Sequence, residues 1–295
     1  MRLRKKEEEW EFMAKRFLLS DKSKRICLRG AVFVVLLVGA IFVILPLLWA
    51  VSSSFKTYSE IYSYPMHWIP EKIMWENYPN AVKTFPLFRY LMNSTIVASS
   101  VVVFNLLLSS LAAYSLSKFR YIGRDILFIV ILGIMIIPRQ VLAVPSFLVV
   151  KQFGLVNRYF GLMVPVLSAP IAIFILRQIM LSIPDALIDA ARIDGAGELR
   201  IFFTLVMPLS KPALIAMAIV MYIFTWNEML WPLLVLGDPQ KYTMPLGLSL
   251  LLDIYVEDFH LLFPAVIIAI APTLIGYLFL QRHFIKGLAL SGTKG

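Results

Sequence analysis

Residues Ser182–Pro212 read SIPDALIDAARIDGAGELRIFFTLVMPLSKP and form a long polar segment within the apolar second half of the chain. Ser182 and Asp185 have the three-residue spacing of a helix start, and Pro184 lies where an early proline is tolerated. Gly195 predicts the end of this helix, because glycine adopts the left-handed conformation that a C-terminal cap needs. The segment therefore begins with a short helix that ends in a tight turn.

A second helix is predicted from Gly197 to Met207, with Pro208 and Pro212 ending it before the next apolar run. Phenylalanine, leucine and valine side chains supply its apolar side. Three charged residues of the first helix are spaced four and three positions apart and share one of its faces: Asp185, Asp189 and Arg192. The segment is thus predicted to be a polar helical hairpin outside the membrane.

The composition of the chain is that of an integral membrane protein. Of its 295 residues, 60% are hydrophobic and only 16% are charged, and the mean hydropathy is +0.80. Soluble domains carry roughly 25% charged residues. Several apolar runs are long enough to cross a hydrocarbon core of about 30 Å. The predicted fold class is therefore an all-α, polytopic membrane protein.

Six transmembrane helices are predicted from the apolar runs. They cover approximately residues 31–51, 91–116, 126–150, 160–181, 213–236 and 261–280. The third run is interrupted by Pro138, Arg139, Gln140 and Pro145, so it is either one kinked span or a shorter span followed by a re-entrant segment. The proline-rich and aromatic-rich connection 52–89 is predicted to lie outside, against the membrane interface.

The distribution of charge predicts the orientation of the chain. With both termini in the cytoplasm, the inner side carries 20 of the 28 basic residues and 10 of the 18 acidic residues, a net charge of +10 against zero outside. An excess of basic residues is typical of cytoplasmic loops. The predicted organisation is a cytoplasmic tail at 1–29, a six-helix transmembrane domain at 30–281 with the cytoplasmic loop 182–212, and a cytoplasmic tail at 282–295. Orientation thus accounts for the basic charge, and no nucleic-acid partner is expected.

No catalytic chemistry is predicted for the chain. It contains no G-x-x-x-x-G-K-[ST] phosphate loop, and the Gly-Ala-Gly run at 195–197 follows a helix rather than a strand, which excludes a dinucleotide fingerprint. His67, His260 and His283 occur singly, without the spacing of a metal site. We therefore expect no enzyme activity, cofactor or metal, and a transport function that uses energy supplied elsewhere.

Polar residues within the predicted spans are candidates for a solute pathway, because such residues are costly in a membrane and tend to face the bundle interior or a water-filled cavity. Glu228 lies about fifteen residues into the fifth span, roughly 22 Å from its inner end at 1.5 Å per residue. Asn and Glu can bind hydroxyl groups, and Trp offers a flat apolar face to a sugar ring. The candidates are Asn105, Arg139, Gln140, Trp226, Asn227 and Glu228. Hydrogen bonds between helices, or anchoring at the interface, would account for the same residue types.

The segment 182–212 resembles the cytoplasmic signature of the permease subunits of ABC importers, which reads Glu-Ala-Ala, three residues, Gly, nine residues, then Ile-x-Leu-Pro. The matching residues preserve both gaps: Asp189, Ala190, Ala191, Gly195, Leu205, Met207 and Pro208. Asp replaces Glu, Leu replaces Ile, and Met replaces Leu. The strings AARIDGAG and PLSKPAL, together with SFKT and WIP in the connection 52–89, are similar to the carbohydrate-uptake branch, specifically its smaller maltose-type permease subunit.

This resemblance implies the type I ABC importer permease fold, in which the segment 182–212 is the coupling element that docks on an ATPase subunit. It implies two ATPase subunits, a second permease subunit in a favoured heterodimer, and an extracytoplasmic solute-binding protein, assembled in a prokaryotic cytoplasmic (inner) membrane among its lipids. The implied function is uptake of a sugar or sugar-like solute with ATP hydrolysed by the partner subunits. An ion-coupled secondary transporter that uses Glu228 as its carboxylate is the alternative. The solute itself is not determined by the sequence.

Overall fold

The computed structural model describes the backbone of residues 2–254 and 258–292 and the side chains of residues 28–252, 258–276 and 278. All regular secondary structure in these ranges is helical. The chain divides into two compact units, residues 1–74 and residues 75–295. The predicted sixth span ends at 279–280, where the backbone is described but the side chains are not. The last residues of the predicted C-terminal tail, 293–295, lie outside the described backbone.

The first unit begins with a single long helix, α1 (Arg2–Ser53), so the backbone of the predicted N-terminal tail continues into the first span. Its part from Leu28 to Ser53 is long and apolar enough to cross a membrane. The apolar side chains of this part are exposed within the unit. Such a surface is suited to lipid or to a neighbouring membrane helix.

The connection that follows α1 folds back on the end of this helix. A short helix, α2 (Tyr58–Ile61), comes first. The Lys56 ammonium group is buried, donates to the His67 carbonyl at 2.5 Å and lies 3.9 Å from the centre of the Trp49 ring. The Trp49 ring also meets the Trp68 ring edge-on, with 5.0 Å between their centres. Burial lowers the pKa of the Lys56 amine.

The second unit contains most of the apolar helices. In chain order they are α3 (Asn77–Thr84), α4 (Leu87–Lys118), α5 (Arg124–Ile136), α6 (Ala143–Gln152), α7 (Tyr159–Met163), α8 (Pro170–Leu181), α9 (Asp185–Ile193), α10 (Glu198–Ile201), α11 (Met207–Leu209), α12 (Lys211–Trp226), α13 (Leu230–Val235), α14 (Met244–Ile254) and α15 (Phe259–Gly292). Helix α4 packs against both α8 and α12. Its buried small residues, among them Ala98, Ser109, Ser110 and Ala113, let these neighbours approach closely.

The spans differ in continuity from the six predicted helices. In the described part, three helical segments are each long and apolar enough to cross a membrane: Leu28–Ser53, Leu87–Lys118 and Phe259–Gly276. Two further candidate spans each consist of two helices with a bend between them. In the first, α7 and the 3₁₀ turn after it meet α8 at a bend of 48°. In the second, the helical segment Glu198–Leu209 meets α12 at a bend of 79°. The fourth predicted span, 160–181, is therefore bent, and the 79° bend lies at Ser210, just before the fifth predicted span, 213–236. Prolines at 165 and 170 interrupt the fourth, because proline lacks the N–H that a continuous helix needs.

The third predicted span, 126–150, is divided into α5 and α6, each too short to cross a bilayer alone. Ile137 precedes Pro138 and has an extended conformation, with ψ of 119°, which ends α5. The fifth predicted span, 213–236, is divided in the same way: α12 ends at Trp226, and α13 begins at Leu230. Glu228 thus lies in a helix break, not inside a continuous span.

The two ends of α4 meet different parts of the chain. At one end, Asn93 donates to the carbonyl groups of Gln240 and Tyr242, both at 2.9 Å, and accepts from the Tyr159 hydroxyl at 2.7 Å. At the other end, Arg177 donates to the Leu116 carbonyl at 3.2 Å. The loops 151–159 and 237–243 therefore lie at one end of α4, and the segment 182–212 begins at the other.

Candidate functional site

The segment 182–212 forms the predicted hairpin, but its first helix starts differently. The Ser182 hydroxyl donates to the Ile179 carbonyl at 2.7 Å and so completes the end of α8. Pro184, with ψ of 131°, precedes the first residue of α9, Asp185. The prediction of Ser182 as a start signal was wrong, because its hydroxyl bonds backward before the chain reaches α9.

The turn after α9 depends on Gly195, as the sequence predicted. Gly195 has a φ of 80°, in the left-handed region that side-chain-bearing residues rarely adopt. Its N–H donates to the Arg192 carbonyl and the N–H of Ala196 donates to the Ala191 carbonyl, both at 3.0 Å. This pair of bonds is a Schellman motif, which satisfies the last carbonyl groups of the helix.

The second helix of the hairpin passes through Pro208, contrary to the prediction that this proline ends it. α10 continues into a π-helical turn, Phe202–Val206, and then into α11. Proline at 208 cannot donate to a carbonyl four residues earlier, and a wider π turn is one way for a helix to accommodate such a position. The break comes at Ser210, and Pro212 lies in the first turn of α12.

The signature residues divide between an exposed face and the packed interior. Asp189, Ala190 and Pro208 are exposed. Ala191, Leu205 and Met207 pack against a buried cluster that joins α4, α8 and the hairpin. Ile188 of α9 is 1% exposed within this cluster. The hairpin is therefore fixed to the helix bundle on one side and presents Asp189 and Ala190 on the other.

The polar face of α9 is held by one arginine that contacts two carboxylates. Arg192 donates to Asp189 Oδ1 at 2.9 Å and to Glu198 Oε1 at 2.7 Å. The hydrogen bond from Arg192 is the main reason that the pKa of Glu198 lies below its usual range. The pKa of Asp185 is also lowered, first by a hydrogen bond from Lys118 and then by the charge of that lysine. The Glu198 and Asp185 carboxylates are accordingly stabilised in their charged form.

The hairpin also exposes apolar side chains that the signature does not include. Ile193 is 86% exposed and Leu199 is 67% exposed. Leu187 and Phe203 are about half exposed. Exposed apolar groups beside a charged face are typical of a protein–protein contact. Sequence reasoning missed Ile193 and Leu199, although isoleucine and leucine beside charged residues in a polar segment could have indicated them.

A cavity of about 480 Å³ lies where three helix breaks meet. Its wall includes the break between α5 and α6, the start of α8, and the break between α12 and α13. Most of its lining is apolar, and its polar lining side chains are Arg139, Gln140, Ser146, Ser168, Thr225, Glu228 and Trp231. This volume and this mixture are usual for a small-molecule site.

The charged and aromatic groups of the cavity have few partners within it. The Arg139 guanidinium lies 5.0 Å from the centre of the Phe224 ring. Glu228 accepts the N–H of Trp231 at 3.2 Å, which caps the start of α13. The Trp231 side chain is 8% exposed, and its buried Nε1 has no hydrogen-bond partner in the described part of the chain. A buried donor without a partner is unfavourable, so a rearrangement of the cavity wall that brought an acceptor within reach of Nε1 would stabilise this site.

Three of the six pathway candidates lie elsewhere. Asn105 is fully buried and donates to the Val166 carbonyl at 2.8 Å, so it joins α4 to the bent fourth span. Trp226 is buried and stacks on Tyr222, with 5.7 Å between the ring centres. Asn227 donates to the Ile223 carbonyl at 2.8 Å at the end of α12. The structure brings Arg139, Gln140 and Glu228 together at the cavity and adds Trp231, which sequence reasoning missed.

Comparison with known proteins identifies the chain's relatives. The family described as "Binding-protein-dependent transport system inner membrane component" matches residues 105–289. The arabinooligosaccharides transport system permease protein AraQ of Halalkalibacterium halodurans is 41% identical over 69% of this chain and 73% of its own length. The diacetylchitobiose uptake system permease protein NgcG of Streptomyces coelicolor is 33% identical over 88% of this chain and 86% of its own length.

A solved structure has the same fold. It is a bacterial ABC transporter involved in the import of the acidic polysaccharide alginate, with a TM-score of 0.77. The match covers 86% of this chain and 96% of that chain at 24% sequence identity. The fold predicted from the resemblance, that of a type I ABC importer permease, is therefore confirmed.

The family match covers well over half of the chain and decides between the two transport classes that the sequence left open. The chain is a multi-pass protein of the inner membrane. ATP hydrolysis resides on separate ATPase subunits, with which the chain works alongside a second permease and a solute-binding protein. The chain belongs to the inner-membrane components of binding-protein-dependent transport systems and is a permease subunit of an ABC importer.

Proposed function

We propose that this permease imports a short, uncharged oligosaccharide and that the cavity at the helix breaks is part of its pathway. The observation that carries this proposal is the composition of the cavity wall, in which Trp231 and the opposite charges of Arg139 and Glu228 interrupt an apolar lining. Sugars combine flat apolar faces with many hydroxyl groups, so they match such a wall. The oligosaccharides in the names of the two relatives also support this class of solute.

The solute class is tested with the complete transporter, purified with its binding protein and reconstituted in lipid vesicles. We expect arabinotriose or diacetylchitobiose to stimulate ATP hydrolysis and to enter the vesicles. Glycerol 3-phosphate serves as an anionic probe of small size. Stimulation by glycerol 3-phosphate alone, or by none of the three compounds, would contradict import of an uncharged oligosaccharide.

The segment 182–212 is proposed to be the coupling element. Asp189 would meet a basic residue of the ATPase subunit, Ala190 and Ala191 would permit close approach, and Gly195 would set the turn. Leu205, Met207 and Pro208 would shape the helix that supports this face. The exposure of Asp189 and Ala190, and of Ile193 beside them, supports a docking role.

The second permease is proposed to be a different chain rather than a second copy of this one. The resemblance to the smaller maltose-type subunit favours such a heterodimer. Purification of the tagged chain in mild detergent, with identification of every co-purifying protein, tests this. We expect an ATPase, a second permease and, when it is added, a binding protein. Recovery of this permease alone with the ATPase would contradict the heterodimer.

Both termini are proposed to lie in the cytoplasm, with 1–29 and 282–295 as tails, 30–281 as the transmembrane domain and 182–212 on the cytoplasmic side. The excess of basic residues on that side supports this orientation. The chain has one cysteine, Cys27, so single cysteines can be tested after Cys27→Ser. We expect an impermeant maleimide added to intact cells to label Tyr64→Cys and not Ile122→Cys, two fully exposed positions. The reverse pattern would contradict the orientation.

A further inference from the structure

The end of α4 is joined to both ends of α9 by polar contacts. At the start of α9, Lys118 Nζ donates to the Ile183 carbonyl at 2.5 Å and to Asp185 Oδ1 at 2.6 Å. Beyond the end of α9, the Tyr114 hydroxyl donates to Glu198 Oε2 at 2.7 Å. The side chain of Lys118 is 3% exposed, so its first contact replaces water at a carbonyl group that α8 and α9 leave open.

The contact at Tyr114 continues to the exposed face of α9. Glu198 accepts from Tyr114 with one oxygen and from Arg192 with the other. Arg192 then donates to Asp189, the signature residue proposed to face the ATPase. All three contacts are 2.9 Å or shorter, and each has at least one charged partner, which makes them stronger than neutral hydrogen bonds.

The base of this contact chain is buried and closely packed. Tyr114 is 4% exposed and its ring packs against the rings of Phe119 and Phe202, with centres 5.4 and 5.5 Å away. Ile188 of α9 lies in the same buried cluster. A close-packed cluster transmits displacement because it has few voids to absorb it. Farther along α4, Asn105 donates to the carbonyl of Val166, which lines the cavity.

We propose that Tyr114, Glu198 and Lys118 are positioning residues that make α9 and α4 move as one body. A displacement of α9 by the ATPase then reaches α4 and, through Asn105, the wall of the cavity. This inference rests on the proposed docking of the segment 182–212, because the ATPase must displace α9 for the contacts to matter. Tyr114, Glu198 and Lys118 are not signature residues, so the inference assigns a role in coupling to three further positions.

The test measures whether α9 and α4 stay in register in the complete transporter. Spin labels are placed at Leu108→Cys on α4 and at Asp194→Cys after α9, both exposed positions, in a Cys27→Ser background. Their distance is measured without nucleotide and with ATP and vanadate. We expect one narrow distance distribution in both states for the otherwise unchanged chain. Tyr114→Phe and Glu198→Ala should broaden this distribution in the vanadate state and reduce stimulation of ATP hydrolysis by the loaded binding protein about fivefold to tenfold.

Conservative and matched variants separate positioning from general packing. Glu198→Gln keeps an acceptor for Tyr114 but loses the charge that Arg192 binds, so its effect should be smaller than that of Glu198→Ala. Tyr159→Phe removes a hydroxyl that also makes a 2.7 Å hydrogen bond to a side chain, at the opposite end of α4, and should change neither readout. The double variant Tyr114→Phe with Glu198→Ala should be no worse than Glu198→Ala, because both act on one contact.

Several outcomes would overturn the inference. A distance in the unchanged transporter that shifts with ATP and vanadate would show that α9 and α4 move separately. Narrow distances and full stimulation in Tyr114→Phe and Glu198→Ala would show that their contact transmits nothing. Failure of these variants to assemble with the ATPase would assign them to folding or docking instead. The docking proposal itself is tested separately with Asp189→Lys. Normal assembly of this variant with the ATPase, and normal stimulation of ATP hydrolysis, would contradict docking through the segment 182–212.

Discussion

The segment 182–212, called the coupling stretch after its proposed role, and the cavity at the helix breaks are built in opposite ways from one chain. The signature residues of the coupling stretch all lie between positions 189 and 208, and the bonds from Arg192 reach only to Asp189 and Glu198. The cavity collects its polar groups from helix breaks that are far apart in sequence, with Arg139 in one and Glu228 in another. A site built from neighbouring residues can be written as a motif, whereas a site built from helix breaks depends on how the helices pack.

The difference extends to how each region carries charge. In the coupling stretch, Asp185, Asp189, Arg192 and Glu198 each have an oppositely charged group within 2.9 Å, and the partner of Asp185 is Lys118 at the end of α4. In the cavity, Arg139 lies against an aromatic ring and Glu228 accepts a backbone N–H. The first arrangement fixes positions, and the second leaves polar groups available to a mobile solute.

Asp189→Lys should have the largest effect and should confine damage to the coupling stretch. The lysine would face the ATPase with a positive charge and lie beside Arg192, and like charges in an interface cost several kcal/mol. We expect association with the ATPase to weaken at least about 100-fold, measured by co-purification and by ATP hydrolysis. The matched control is Asp194→Lys, which makes the same charge change at an exposed residue outside the signature. Equal losses in both variants would contradict a specific role for Asp189.

Gly195→Val should have the next largest effect, through backbone strain alone. No atom lies within 4 Å of a β-carbon built on Gly195, so the cost comes from its φ of 80°. A left-handed residue with a side chain costs about 1–2 kcal/mol. We expect stimulated ATP hydrolysis to fall about 5- to 30-fold while membrane insertion is unchanged.

Gly197→Val is the matched control for Gly195→Val. A β-carbon at Gly197 is equally free of close atoms, and its φ of −70° suits any residue. Near-normal activity is therefore expected from Gly197→Val. If the two valine variants behaved alike, the turn conformation would not be the reason that glycine is needed at position 195.

Trp231→Phe should affect the cavity and leave the coupling stretch intact. The change removes the buried indole N–H that has no partner in the described part of the chain. One hydrogen bond is worth about 0.5–1.5 kcal/mol, so uptake of arabinotriose should fall about 3- to 10-fold at saturating binding protein. Stimulation of ATP hydrolysis should stay near normal.

Trp226→Phe provides the control for the cavity, because Trp226 is buried against Tyr222 and does not line it. We expect this variant to transport normally if it folds, which the yield of assembled complex measures. Greater loss of uptake in Trp226→Phe than in Trp231→Phe, at equal yield, would move the pathway away from the proposed wall.

The smallest effect concerns pH and the coupling stretch. The pKa of Glu198 is lowered in the folded protein, chiefly by the hydrogen bond from Arg192. Its stabilising contribution is therefore complete above the ordinary pKa of a glutamate, near 4.3, and is lost as the pH falls through the lower folded value. The difference in thermal midpoint between the unchanged transporter and Glu198→Gln should be constant from about pH 8 to 6 and shrink below about pH 4. A difference that grows with acidification would contradict this assignment.

The sequence alone determined the membrane class, the polar hairpin and the Gly195 turn. Length and apolarity of a run decide whether a helix can cross a bilayer, and both can be read without a fold. Glycine's access to left-handed backbone is likewise a property of one residue. The signature of Asp189, Ala190, Ala191 and Gly195 lies within seven positions, so its spacing alone carried the family resemblance.

Only the tertiary structure decided where the spans break and which polar residues meet. The bends at 48° and 79°, the π turn that precedes Pro208 and the end of α12 at Trp226 result from proline placement together with packing around α4. In the sequence, Asn105 and Glu228 are both polar residues within apolar runs. In the structure, Asn105 joins two helices, whereas Glu228 lines a cavity. Periodicity and composition describe a residue's own helix. The partner of a polar side chain lies on a neighbouring helix, and the position of that helix cannot be predicted from a local sequence pattern.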